Sequence, residues 1–169
     1  VLGIRCELPG PLVRPVDRPP PFGSALHALG SAQFMLAVSV VRGRCSPWEF
    51  QPRLLEDAAV LGLAERVEVV PADDLTAAYP ASWGARVEVT TDRGTARAER
   101  SDAQGDPGYE LSAAELVAKF GTLSGPLLGA RPARDLAEAL LGADPAAAPA
   151  AFLDVVLPWL HRSFELQEA

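Results

Sequence analysis

Few side chains in this sequence can move a proton near neutral pH. The chain holds two histidines, His27 and His161, one lysine, Lys119, and two cysteines, Cys6 and Cys45. His27 lies near the start of a long apolar run and is followed by Ser31 and Gln33. A histidine at a helix start can serve as neutral acid, base or electrophile. The alternative is a histidine satisfied by backbone at the edge of the core. His161, after Trp159 and Leu160, reads as a surface or interface residue.

The other candidates carry less. A lysine acts as a catalytic amine only when desolvated, and Lys119 on an amphipathic helix is expected to stay in water. Gly121-Thr122-Leu123-Ser124-Gly125 lacks the spacing of a nucleophile elbow and reads as a helix terminus or loop. Asp73-Asp74 and Asp102 with Asp106 read as solvated loop carboxylates, without the histidines or further acids of a metal site. Cys6 and Cys45 are too far apart for a CxxC pair or a zinc knuckle and are expected to be buried small hydrophobes. No metal and no cofactor is implied.

The elements that position these groups follow from periodicity. Leu2, Ile4, Cys6 and Leu8 alternate as in a half-buried strand. The proline-rich stretch from Pro9 to Ser24 predicts an extended connection. Ser24 is placed to cap one buried helix running to Val41 or Arg42, with Gly43 ending it. Ser46 and Pro47 open a short helical piece, and a helix over about 53–65 follows, with Leu54, Leu55, Ala58, Leu61 and Leu63 inward.

Val67, Val69 and Val70 predict a second strand. Runs 86–91 and 95–100 around Asp92-Arg93-Gly94 predict a hairpin with Arg86, Glu88, Arg97 and Glu99 on a wet face. Ser112 and Glu115 form a capping box for a helix with Leu116, Val117 and Phe120 inward. Helices are expected over 134–141 and 151–167. The order gives an α+β fold, a two-layer sandwich of a small, mainly antiparallel sheet with helices packed on one face.

Length and charge bound the rest. At 169 residues, 49% of them hydrophobic, one domain can build a core without disulfides or metal. Fifteen basic against 22 acidic side chains, net charge -7, argue against a nucleic-acid partner. Polar interruptions at His27, Gly30, Ser31, Gln33 and Ser39 argue against a membrane span over Ala25 to Val41. The first residues lack a signal-peptide pattern, so a cytoplasmic chain, trimmed or cut from a longer one, is the expectation.

The order of segments resembles the carboxy-terminal domain of the MmgE/PrpD family, which includes 2-methylcitrate dehydratase, cis-aconitate decarboxylase and iminodisuccinate epimerase. The resemblance runs from about Ile4 to Leu141. It is carried by VDRP at 16–19, the buried helix ending at Gly43, AERVEVV at 64–70, YPASWGARVEVTTDRG at 79–94, GDP at 105–107, LSAAELVAKF at 111–120 and a helix near Ala130. It implies a domain, over 1–145, that closes as a lid on a small carboxylated metabolite together with a helical half absent here. The chemistry implied is cofactor-independent lyase or isomerase work, by proton removal next to a carboxylate, dehydration, decarboxylation or epimerisation.

Arg18, Pro19, Ser31 and Gly43 match the family pattern. Relatives place a lysine or histidine just before the serine, where this sequence has Leu29 and Gly30, and His27 can fill that basic position. Where some relatives have a tyrosine ahead of VDRP, Pro15 stands. The resemblance thus implies His27 and Ser31 as catalytic residues and Arg18 and Gln33 as substrate-binding ones, with no activity expected of this chain alone. The rival reading is a non-catalytic interaction module, or an excised domain of a larger biosynthetic enzyme. Residues 146–169, with Phe152, Val155, Val156, Trp159 and Phe164, would then dock on a second subunit, as in a homodimer, rather than on their own domain.

Overall fold

The computed structural model describes residues 1–144, 153, 154 and 156–158. The chain forms two compact units, Val1–Tyr109 and Glu110–Ala169.

In the first unit, strands β1 (Gly3–Leu8), β2 (Val67–Pro71), β3 (Ala85–Thr91) and β4 (Gly94–Arg100) form one sheet in the order β2-β1-β3-β4. β1 pairs with β2 in parallel and with β3 antiparallel, and β3–β4 is the expected hairpin. The sheet is therefore mainly antiparallel, with helices against one face, as the α+β reading requires.

Register sorts the two faces. Ile4 lies opposite Val67 and Val89, and Cys6 opposite Val69 and Val87, so period-two alternation places one apolar layer on one side. Helices α3 (Ala32–Arg42) and α5 (Ala58–Ala64) cover it, supplying Phe34, Ala37, Val38, Val60, Leu63 and Ala64 to the core. The other face carries rows of alternating charge. Glu68, Arg5, Glu88 and Arg97 are successive neighbours across the strands, as are Glu7, Arg86 and Glu99.

Ser24, Gly43 and Ser46 open or end helices as expected, and Glu49 and Asp57 add caps that were not expected. Ser24 accepts from the His27 amide and opens α2 (Ala25–Leu29). Gly43 ends α3 at φ 71, in the left-handed region where a Cβ is costly. Ser46 and Glu49 form a reciprocal cap on the 3-10 turn Pro47–Glu49. Asp57 caps α5 through the amides of Ala59 and Val60.

Five expectations are corrected in this unit. The stretch after Pro9 is helix α1 (Gly10–Val16), because Pro11 sits in the first turn, where its missing N–H costs nothing. The apolar run from Ala25 is two helices, broken at Gly30 and Ser31, since the Ser31 hydroxyl takes the Phe34 amide. The helix expected over 53–65 is α4 (Pro52–Leu55) and α5, parted by the Asp57 cap, and it buries Val60 and Ala64 while Ala58 is exposed. Asp73 and Asp74 lie in the first turn of helix α6 (Asp73–Ala78), where carboxylates complement the unpaired amides. Cys6 is buried, but Cys45, just past the Gly43 turn, is exposed.

The second unit contains α7 (Ala113–Leu128), opened by the Ser112–Glu115 capping box, and α8 (Ala130–Leu141). The two helices pack on each other, and Ala133, Leu136 and Ala137 of α8 are buried. Residues 121–125 are helical interior within α7, not a terminus or loop, and Leu116 is exposed rather than inward. The extension expected over 146–169 lies, apart from 153, 154 and 156–158, outside the described residues. Among those described, no helix is long and apolar enough to cross a membrane.

Candidate functional site

The break between α2 and α3 frees Ser31 and Gln33 from a continuous helix and turns them toward the segment at Asp17 and Arg18. The Ser31 hydroxyl accepts from the Phe34 amide at 3.1 Å and donates to the Arg18 carbonyl at 2.6 Å. The Gln33 amide group donates to Asp17 Oδ1 at 2.5 Å, and its Oε1 accepts from the Arg18 N–H at 3.0 Å. Both polar groups of the Arg18 backbone are thereby held by two side chains of one helix terminus.

Ser31 is 0% exposed and Gln33 2%, so both side chains are buried at one end of bonds whose other end, at Asp17 and Arg18, lies nearer the surface. A buried polar group left without a partner costs about 1–3 kcal/mol, which is the force holding the segment in place. The Arg18 side chain runs outward over Gly30, where an added Cβ would come within 2.8 Å of Nη1 and 3.2 Å of Cζ. Arg18 is exposed, and its guanidinium has no carboxylate partner among the described residues. A planar fork held at its base and free at its tip suits a carboxylate ligand.

His27 is half-buried on α2, one turn before Gly30. Its ring meets the edge of Phe22 at 5.8 Å, and Phe22 in turn packs on Phe34 at 5.1 Å. Direct bonds therefore join Arg18, Ser31 and Gln33, whereas His27 is tied to them through Phe22 and the short helix. Leu26 and Leu29 on the same helix are 76% and 52% exposed.

A second polar centre lies on the charged face of the sheet. Arg86 donates to Glu7 at 2.6 Å, Asp74 at 2.6 Å and Glu99 at 2.8 Å. These hydrogen bonds hold the Glu7, Asp74 and Glu99 carboxyls below their usual range and keep Arg86 more firmly protonated. With three carboxylates around it, Arg86 is committed largely to internal hydrogen bonds, and the cluster ties α6 and β1 to the hairpin.

Glu49 is a third case. Burial raises its pKa, but hydrogen bonds from Ser46 and Arg44 outweigh that and keep it below the usual range. Burial pushes the Cys6 thiol up to about 11, so it remains a thiol.

Open clefts occur elsewhere. One of about 520 Å³ is lined by Pro80, Ala81, Trp83, Asp102, Asp106 and Pro107, and a neighbouring one of about 630 Å³ by Arg100, Ser101, Asp102 and Tyr109. Neither touches Arg18, His27, Ser31 or Gln33. Among the described residues no group of three or more His, Cys, Asp and Glu side chains could hold a metal ion. Lys119 is exposed on α7.

Two members of the site escaped the sequence reading. Asp17 was visible in VDRP, but its bond to Gln33 joins residues 16 apart. Gly30 registered only as a missing basic residue, whereas its lack of a side chain is what admits Arg18. A serine that opens a helix and a glutamine two residues on are the signals that could have found the Arg18 cradle.

The fold and this cradle define an α+β domain that holds an outward arginine beside a helix terminus. The MmgE/PrpD C-terminal domain model matches residues 1–143, and the chain belongs to that family. No curated protein matches it.

Proposed function

We propose that this domain closes over a small carboxylated metabolite, together with a helical half, for lyase or isomerase chemistry. Arg18 takes a substrate carboxylate through its planar fork. His27 moves a proton next to that carboxylate. Ser31 and Gln33, expected from the resemblance to meet substrate, are here positioning residues that hold the Arg18 backbone.

The observation that carries this reading is the cradle itself. Two buried side chains and a glycine are spent on aiming one exposed arginine whose guanidinium has no carboxylate partner among the described residues. Leu26 and Leu29 support the second half of the proposal, since exposed leucines flanking a charged tip form the kind of rim that another protein surface covers. One histidine cannot complete an acid–base pair, so the remaining groups must come from that other surface.

The test pairs the chain with a helical half, fused or as a separate protein. Small di- and tricarboxylates are incubated in D2O and followed by NMR at the carbon next to each carboxylate. Exchange or elimination should require both halves. His27→Gln should lower turnover by about 10² to 10⁴-fold. Full turnover in His27→Gln, or a rate from this chain alone equal to the pair, would sink the assignment.

The rival reading, a non-catalytic interaction module, draws on α7, which buries none of its residues and exposes Leu116, Leu123 and Leu127. Absence of any turnover by the pair, with tight association retained, would favour it.

A further inference from the structure

We propose that the free edge of β4 pairs antiparallel with β4 of a second copy of this chain, about a two-fold axis at Ala98. The inference is independent of the proposed activity and uses none of its residues.

Backbone direction follows from the sheet. The Ile4 N–H donates to the Arg66 carbonyl at 3.0 Å, so even positions of β1 face β2 and odd positions face β3. Arg5 opposite Glu88 and Glu7 opposite Arg86 then turn positions 86 and 88 toward β1, leaving Val87 and Val89 to bond Ala98 and Ala96. Antiparallel alternation leaves the N–H and C=O groups of Thr95, Arg97 and Glu99 pointing off the sheet. All seven residues of β4 are exposed. The Glu99 carbonyl accepts only an exposed side-chain bond, from Arg100 at 3.2 Å, which a pairing strand would displace.

Charge selects the partner and the register. Outward groups must face outward groups, so Arg97 can lie opposite Thr95, Arg97 or Glu99 of the second copy. Pairing Arg97 with itself opposes like charges, which destabilises cross-strand pairs, and pairing it with Thr95 leaves Arg97 unmatched and sets Glu99 opposite Arg93, in the turn outside β4. Pairing it with Glu99 matches opposite charges twice, because a two-fold axis repeats each contact.

In that register the charge rows run on unbroken. The row Glu68, Arg5, Glu88, Arg97 meets Glu99 of the copy, and the row Glu7, Arg86, Glu99 meets its Arg97. Arg97 makes no side-chain hydrogen bond or ion pair in its own chain among the described residues and meets Glu99 there only through its charge, so the contact supplies a direct partner. Charged edge strands ordinarily repel neighbours, but here both signs are present and self-complementary. A strand from an unrelated protein would lack that reciprocity.

The test is sedentation of the full chain by analytical ultracentrifugation over a wide concentration range, with amide hydrogen exchange read in parallel. A reversible dimer is expected, with Arg97 and Glu99 amides gaining protection as it forms. Arg97→Glu and Glu99→Arg should each weaken it about tenfold or more, because attraction becomes repulsion at two symmetric contacts. An equimolar mixture of the two variants should associate again, since opposite charges then meet at both contacts.

Arg97→Pro removes an outward N–H while sparing the bonds to β3, and should also give monomer. Circular dichroism checks that each variant remains folded. A monomer at every concentration overturns the proposal. So does a dimer that survives Arg97→Glu and Arg97→Pro, which would place the contact on another surface, or a mixture that fails to restore association.

Discussion

Replacing Gly30 with alanine should displace Arg18 while leaving the fold intact. The new methyl would stand 2.8 Å from Nη1 and 3.2 Å from Cζ of Arg18, closer than such contacts allow, and the nearest atoms are the far end of a flexible side chain. Arg18 therefore swings aside at little cost. Gly30 has φ -89 and ψ 6, a conformation alanine adopts without strain, and its N–H bonds to α2 are unaffected. Removing glycine from the unfolded ensemble stabilises by about 0.4–1 kcal/mol at a compatible site. For a chain of this size that corresponds to a midpoint rise of roughly 1–3 °C.

The loss falls on ligand binding. A hydrogen bond to a charged group contributes about 1.5–3 kcal/mol, so losing the aimed guanidinium should weaken carboxylate binding by about tenfold or more. Three readouts separate the effects: the thermal midpoint, the Arg18 Nε–Hε resonance in an ¹⁵N spectrum, and calorimetric affinity for a panel of small di- and tricarboxylates. The resonance and affinity should change while the midpoint holds or rises. An unchanged Arg18 resonance would refute the clearance argument, and a midpoint several degrees lower would show that Gly30 serves the backbone instead.

Ser31→Ala should destabilise by about 1–3 kcal/mol in denaturant titration, because it removes the α3 cap and leaves the part-buried Arg18 carbonyl without its donor. Arg86→Met should lower stability at neutral pH and flatten its dependence on acid. Glu7, Asp74 and Glu99 have folded pKa values below their ordinary 4.5, 3.8 and 4.5. Their contribution is present above those ordinary values and is lost as pH falls through the depressed folded ones. Thermal midpoints measured downward from pH 6 should fall steeply below about pH 4.5 in the parent chain and less steeply in the variant.

Interactions spanning a few residues were legible in the sequence, and those that depend on distant partners were not. The Ser46 cap, the Ser112–Glu115 box and the turn at Asp92-Arg93 are complete within a short stretch, so residue types alone specify them. The α3 start at Ser31 was hidden because apolar residues continue on both sides and periodicity alone gives one helix. Arg86 and Glu99 were placed on the wet face by alternation, but Glu7 lies 79 positions from Arg86 and only the β1–β3 register brings them together. For the site, Arg18, Ser31 and Gln33 were singled out individually. Their mutual bonds, and the inward turn of Ser31 and Gln33, depend on the helix break.

That break also explains why an apolar run would give up helical continuity. Were residues 25–42 one helix, Ser31 could not cap the Phe34 amide, and the Arg18 carbonyl would lose its buried donor. The Arg18 N–H and Asp17 would likewise lose Gln33. Breaking the helix sacrifices intrahelical bonds near Gly30 but replaces them locally, since the Gly30 N–H bonds back to Leu26 and His27 and the Ser31 N–H to Ala28. The exchange leaves the backbone satisfied and fixes an otherwise proline-flanked segment at both polar groups of one residue. A core needs helices to cover it, but it does not need an arginine aimed outward. The geometry at Gly30 and Ser31 thus holds both backbone polar groups of Arg18 and leaves its side chain outward, an arrangement that packing alone does not require.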